Sequence, residues 1–292
     1  MKKPSPRDSG RSLFGAHQRS FQANRYVYPV LSRRSGGISI GVNLSRDKLC
    51  NFNCIYCQVD RREPGQRGPI ELDRLRDELE QMIELVASGR IYRETKFVDT
   101  PEPLRRLRDI ALSGDGEPTL CAVFGEVVEV CAEVRRRRGL TDVKLVLITN
   151  ASMFHHDRVR RALETLDAAN GEIWAKLDAG TEAYYRQVAC TTVAYRQILD
   201  NLRQAAIVRP IVIQSLFARL RSQPPPPDEQ EAYCRRLEEI VAAGGQIKLV
   251  QIHTVARRPA ESWVTALADP EVDALAEQVR RRTGLTVASF YG

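Results

Sequence analysis

Cys50-Asn51-Phe52-Asn53-Cys54-Ile55-Tyr56-Cys57 places three cysteines in eight residues, spaced C-x3-C-x2-C. Thiolates on so short a loop can converge on one iron–sulfur cluster. No fourth cysteine follows nearby, the next being Cys121. A site with three protein ligands keeps one metal position open, the arrangement by which a metal performs chemistry rather than holding structure. A structural zinc knuckle needs a fourth Cys or His close by, and the nearest histidine upstream is His17. Tyr56, just before the last cysteine, supplies an aromatic ring that can shield a cluster from water.

Working outward, Ile38 to Leu44 reads as a strand after the Gly36-Gly37 turn, so the cysteine loop lies at a strand's C-terminal end, the end that carries active sites in α/β barrels. Glu71 to Ser88 has helical apolar spacing, with Gly89 beyond it as a cap. Further strands are expected at Asp109–Ser113, Lys144–Asn150, Ile173–Gly180, Pro210–Phe217 and Gln246–His253. Helical patterns lie between them, one starting near Ala122 and one capped by Asp228. Asp269 to Thr283 reads as the last helix, followed by a short tail. Six near-continuous apolar strands alternating with helices argue for a parallel sheet with helices outside. Residues Met1 to about Ala23 are polar and expected to be mobile or wrapped over the surface, and Tyr26 to Leu31 form a short apolar stretch that packs against the rest.

The chain has 292 residues and seven cysteines. It contains no apolar run long enough to span a bilayer and no apolar segment near the N-terminus, so a cytoplasmic protein with no membrane partner is expected. The clustered cysteines then read as metal ligands and free thiols rather than disulfides. Net charge is +7, which permits a nucleic-acid partner. The runs Arg135–Arg138 and Arg280–Arg282 fall at helix ends, however, where they complement the helix dipole.

The cysteine motif with its aromatic resembles the signature of the radical S-adenosylmethionine (radical SAM) superfamily. The resemblance implies a 4Fe–4S cluster held by Cys50, Cys54 and Cys57, its fourth iron chelated by the amino and carboxylate groups of S-adenosylmethionine. It also implies an open partial (β/α)6 TIM-like barrel, which six βα units fit, over residues 36–292 behind an N-terminal extension of residues 1–35. Gly114-Asp115-Gly116-Glu117 resembles the family's Gly-Gly-Glu motif, which binds the methionine amino group, with Asp115 in place of the first glycine of that motif.

Asn150, at the end of its strand, is placed for ribose hydroxyls. Lys176 and Asp178, two apart, point to one face and read either as a cosubstrate-binding pair or as a structural ion pair. Gln214 ends the next strand as a further cosubstrate residue. His253 and Arg257, at and beyond the end of the sixth, are expected with Lys176 to orient substrate. Cys190 is a candidate accessory ligand.

The residues around Cys50, Gly114, Asn150, Lys176 and Arg257 are similar to the wyosine-synthase-related, tRNA-modifying branch of these Fe–S oxidoreductases. Archaeal members of that branch hold a second cluster through upstream cysteines, and this chain has no cysteine before Cys50. The expectation is therefore a radical SAM enzyme of oxidoreductase or lyase type. It would be fed by a flavodoxin- or ferredoxin-type electron donor and act on a small molecule, a peptide or RNA. A tRNA-modifying enzyme, or a non-catalytic metal- or nucleic-acid-binding module, is the alternative.

Overall fold

The computed structural model describes residues 21–292. The polar stretch expected to be mobile therefore lies almost wholly outside the described residues. The chain divides into two compact units, one of residues up to Lys48 with Gly65–Leu147 and Arg161–Gly171, the other of Leu49–Pro64, Ile148–Arg160 and Glu172–Gly292.

In the first unit β1 (Val27–Ser32) pairs antiparallel with β2 (Gly37–Val42), and β2, β3 (Leu107–Leu112) and β4 (Lys144–Thr149) run parallel. Helix α1 (Leu72–Ala87) follows β2 and α2 (Phe124–Arg137) follows β3. Ile38, Ile40 and Val42 are fully buried, as the apolar run of a parallel strand requires. The stretch from Tyr26 to Leu31 does pack against the rest, and it does so as a strand.

Its anchor is Glu78 of α1, a buried carboxylate that accepts the backbone N–H groups of Arg25 (2.8 Å), Tyr26 (2.8 Å) and Val27 (3.2 Å) and pairs with Arg74 Nε at 2.9 Å. Burial alone pushes this carboxyl up, but the three N–H donors and the guanidinium outweigh it and hold it below the usual range. A carboxylate depressed in the fold adds stability above its unfolded value and loses it as pH falls through the folded one. Glu78→Gln is thus expected to cost about 1–3 kcal/mol at pH 7 and to cost less as the medium is acidified, read from urea midpoints across pH.

Helix α3 (Asp157–Ala168) leads to the second unit, where β5 (Gly171–Lys176), β6 (Ile211–Leu216), β8 (Ile247–His253) and β10 (Val287–Phe290) are parallel neighbours. Its helices are α4 (Glu182–Ala189), α5 (Tyr195–Val208), α6 (Pro227–Ala242) and α7 (Asp269–Thr283). A two-stranded antiparallel ribbon joins β7 (Ala218–Leu220) to β9 (Val264–Ala266). All six expected parallel strands are present.

Three features differ from expectation. The tail forms β10 rather than a loose end, because its short run finds a ladder beside β8. Asp228 is not the cap of α6: Pro226 occupies that position without a side-chain bond, and Asp228 lies in the first turn, where its charge still suits the dipole. Helix α2 starts at Phe124 because Pro118–Leu120 form a separate 3-10 turn.

The arginine runs sit in the last turns of α2 and α7 as expected. Arg137 lies 3.4 Å from Glu80, Arg138 3.6 Å from Glu84, Arg280 2.9 Å from Glu277 and Arg282 3.7 Å from Glu238. Among the described residues no helix is long and apolar enough to cross a membrane.

Candidate active site

The cysteine loop belongs to the second unit and is held there along its whole length. Asn53 N–H donates to Ala189 O and Ile55 N–H to Val188 O, both at 3.0 Å, at the C-terminal turn of α4. Thr191 Oγ1 donates to Asn51 O at 2.5 Å, and Glu261 N–H to Ile55 O at 3.1 Å. Ile55 and Tyr56 pack with Val188, Leu216, Ala218, Val255 and Val264. Phe52 meets the Tyr185 ring edge-on, centroids 5.8 Å apart. Two residue types explain the geometry: apolar side chains at Phe52, Ile55 and Tyr56 anchor the loop, and the cysteines between them stay half-buried and free of disulfides.

A second set of contacts fixes the first cysteine spacing. Asn51 Nδ2 donates to Ser152 Oγ at 2.9 Å, and Asn51 Oδ1 accepts from Asn150 Nδ2 at 2.9 Å. Asn150 Oδ1 in turn accepts Ser152 N–H at 3.0 Å. Between them Ala151 takes φ = +61°, a left-handed conformation costly for alanine. Asn201 of α5 secures it by donating to Ala151 O at 2.8 Å and Ser152 O at 3.2 Å. Asn150, expected to meet a ribose, is thus tied to the cysteine loop.

Below the loop, Asp178 gathers three donors. Its Oδ2 accepts the Tyr56 hydroxyl and lies 3.5 Å from Lys176 Nζ, and its Oδ1 accepts Leu216 N–H at 2.7 Å. Lys176 Nζ lies over the Tyr56 ring, 4.9 Å from its centroid. Lys176 and Asp178 therefore form the ion pair their spacing implied, and the pair supports the motif's aromatic. Burial, reinforced by the Asp178 charge, pushes the Cys54 thiol up to about 12. A thiolate there calls for a cation against it. Lys176 is the cation that acts on Cys54, while Arg61 serves the other two sulfurs, its Nη2 3.9 Å from Cys57 Sγ and its charge acting on Cys50 as well.

The remaining candidates are placed as follows. Gln214, in β6, donates to Gln251 of β8 at 3.1 Å. His253 closes β8, its carbonyl accepting Phe217 N–H at 2.9 Å, and Arg257 is half-buried in the loop beyond. Cys190 ends α4 in a left-handed conformation, φ = +45°, exposed, with Sγ 3.4 Å from Gln187 O.

Gly114 to Glu117 lie in the first unit. There Asn43 Nδ2 donates to Asp115 Oδ2 at 2.5 Å and Asn43 Oδ1 accepts Asp115 N–H at 3.1 Å. A Cβ at Gly114 would come 2.2 Å from Asn43 Oδ1, so only glycine allows this pairing. Glu117 is buried, and its Oε1 accepts Thr119 N–H at 3.1 Å and Thr119 Oγ1 at 2.6 Å, capping the 3-10 turn.

Sequence reasoning missed Asn51, Ser152, Asn201, Arg61 and Gln251. Asn51 and Arg61 stand within or beside the motif and carried a signal. The other three are recognisable only once distant segments meet.

The donor set suits an iron–sulfur cluster. A cluster takes each thiolate on a different iron, and three sulfurs on one clamped loop, none of them in a disulfide, with an apolar floor beneath, match that donor set.

Comparison with known proteins agrees. The chain is 30% identical over 141 residues to a UPF0026 protein of Helicobacter pylori, covering 48% of this chain and 39% of that protein. It spans less than half the length of such curated relatives. Among solved structures, a radical SAM methyltransferase from Sphaerobacter thermophilus matches with a TM-score of 0.63 at 12% identity, over 91% of this chain and 69% of that one. TYW1 with a lysine-pyruvate adduct bound matches at 0.51 and 18% identity, over 83% of this chain and 73% of that one. At these identities the likeness shows the fold alone, the partial (β/α)6 barrel. The Radical SAM superfamily profile matches residues 48–213, more than half of the chain, beginning two residues before Cys50. On that match the chain belongs to the radical SAM superfamily.

Proposed function

We propose that Cys50, Cys54 and Cys57 hold three irons of a 4Fe–4S cluster and leave the fourth to the amino and carboxylate groups of S-adenosylmethionine. When bound, cluster and cosubstrate together supply reductive cleavage to methionine and a 5′-deoxyadenosyl radical that abstracts hydrogen from substrate. The protein's part is positioning and exclusion of water. Phe52, Ile55 and Tyr56 close the loop's underside against the apolar core. The Asn51–Asn150–Ser152 network fixes where Cys50 and Cys54 point, and Asp178 holds Tyr56. Asn150, Gln214, Lys176 and Asp178 bind cosubstrate, while Lys176, His253 and Arg257 orient substrate. A flavodoxin- or ferredoxin-type protein delivers the electron.

One observation carries this reading: a C-x3-C-x2-C loop whose backbone is pinned by four hydrogen bonds to its surroundings, with none of its three sulfurs in a disulfide. The substrate is a small molecule, a peptide or RNA. The charge of +7 alone does not favour RNA, since both arginine runs are engaged in helix-end ion pairs. The test is anaerobic reconstitution followed by dithionite and S-adenosylmethionine. Methionine and 5′-deoxyadenosine should form together, and failure to form either from a cluster-loaded protein rejects the proposal.

A further inference from the structure

Gln214 and Gln251 are 2% and 1% exposed, on strands whose other buried positions are mostly apolar. Their direction follows from their neighbours. Ser215 turns toward α6, its hydroxyl 2.7 Å from that of Tyr233, so Gln214 turns to the opposite face. Gln251, directly beside it in the β6–β8 register, accepts from Gln214 Nε2 at 3.1 Å. Among the described residues neither side chain makes another hydrogen bond. The carbonyl of one amide and the amino group of the other are left without a protein partner. Each amide thus makes one hydrogen bond and keeps one further polar group, which leucine or methionine at either position would not carry.

The same register sets Lys176 of β5 beside Gln214. Lys176, Gln214 and Gln251 thus form one polar tier across three adjacent strands, continued on β10 by the small Ala288. Lys176 lies over the Tyr56 ring, and Leu216, two residues on from Gln214, packs on Tyr56. The tier therefore faces the cysteine loop.

We propose that this tier is the floor of a ligand subsite that reads a planar amide-type edge, a hydrogen-bond donor beside an acceptor, as a carboxamide, a cyclic imide or a nucleobase presents. Paired glutamine amides offer such an edge a complementary acceptor and donor. The inference rests on the function proposed above and adds the chemistry recognised there. Two molecules can bring that edge: the adenine of the cosubstrate, or the substrate itself.

Gln251→Met keeps length and volume and removes the amide, and Gln214→Met is the second variant should the first fail to fold. Cluster-loaded wild type and variant are compared by equilibrium dialysis with S-adenosylmethionine and by saturation-transfer NMR with uracil and nicotinamide as probes. If adenine occupies the tier, cosubstrate affinity falls by up to roughly tenfold in the variant, the worth of one or two neutral hydrogen bonds. If substrate occupies it, cosubstrate affinity holds within about twofold, and probe contact seen with wild type is lost. Unchanged cosubstrate affinity, with probe contact absent or equal in both proteins, overturns the subsite. Iron content and 5′-deoxyadenosine formation are measured on the same samples. If both persist in wild type, the enzymatic reading survives that failure, and if wild type loads no cluster the enzymatic reading itself falls.

Discussion

Cys54→Ser protein, reconstituted anaerobically, is expected to retain its fold and lose its cluster. Cys54 is the middle sulfur of the loop, flanked by the two backbone bonds that pin Asn53 and Ile55 to α4. Serine fits the same space, so the circular dichroism of the metal-free protein should not change. The alkoxide is far harder to form than the thiolate and is a poor ligand for cluster iron, which takes soft sulfur. Loss of an outer partner at a metal site costs roughly 10–100-fold in affinity or activity, so loss of a ligand should reduce S-adenosylmethionine cleavage by at least roughly 100-fold. Iron and sulfide per chain fall with it. Cys190→Ser is the matched control. Its sulfur is exposed and turned to a backbone carbonyl, and the variant should load iron as the parent does. Equal iron in the parent and in Cys54→Ser would remove Cys54 from the ligand set.

Asp178→Ala carries the second large effect, and its readout is stability. The substitution strips a partner from the Tyr56 hydroxyl, the Leu216 N–H and the Lys176 ammonium, which is itself only 20% exposed. Removing one member of a largely buried ion pair costs about 3–5 kcal/mol, because the other charge stays behind. Urea unfolding of the metal-free protein should show that loss. Adding Lys176→Met to Asp178→Ala should restore part of it, since the stranded charge goes too. No recovery in the double variant would mean that the hydrogen bonds of Asp178, and not its ion pair, hold this corner.

Much of this was readable from residue order. The six parallel strands were legible because a strand buried on both faces is a near-continuous apolar run, as residues 145–148 and 211–213 show. The cysteine site was legible because its three cysteines fall within eight residues. Lys176 and Asp178 were legible as a pair because strand periodicity is two.

What was not legible depends on partners far apart in the chain. Asn51 meets Asn150 and Ser152 across about a hundred residues, and Asn201 stabilises a left-handed alanine that no local signal marks. Gln251 sits in an ordinary strand pattern and gains meaning only beside Gln214. The strands β7, β9 and β10 are short, and each is defined by the neighbour it pairs with rather than by its own pattern.

The central claim is that three thiolates leave one iron for an exogenous chelator. Electron paramagnetic resonance of the dithionite-reduced, anaerobically reconstituted protein, recorded with and without S-adenosylmethionine, tests it directly. A reduced 4Fe–4S signal whose g values move when the cosubstrate is added, and move back when it is dialysed away, is the predicted result. A signal indifferent to saturating S-adenosylmethionine, or stoichiometric zinc without sulfide in the purified protein, would contradict it.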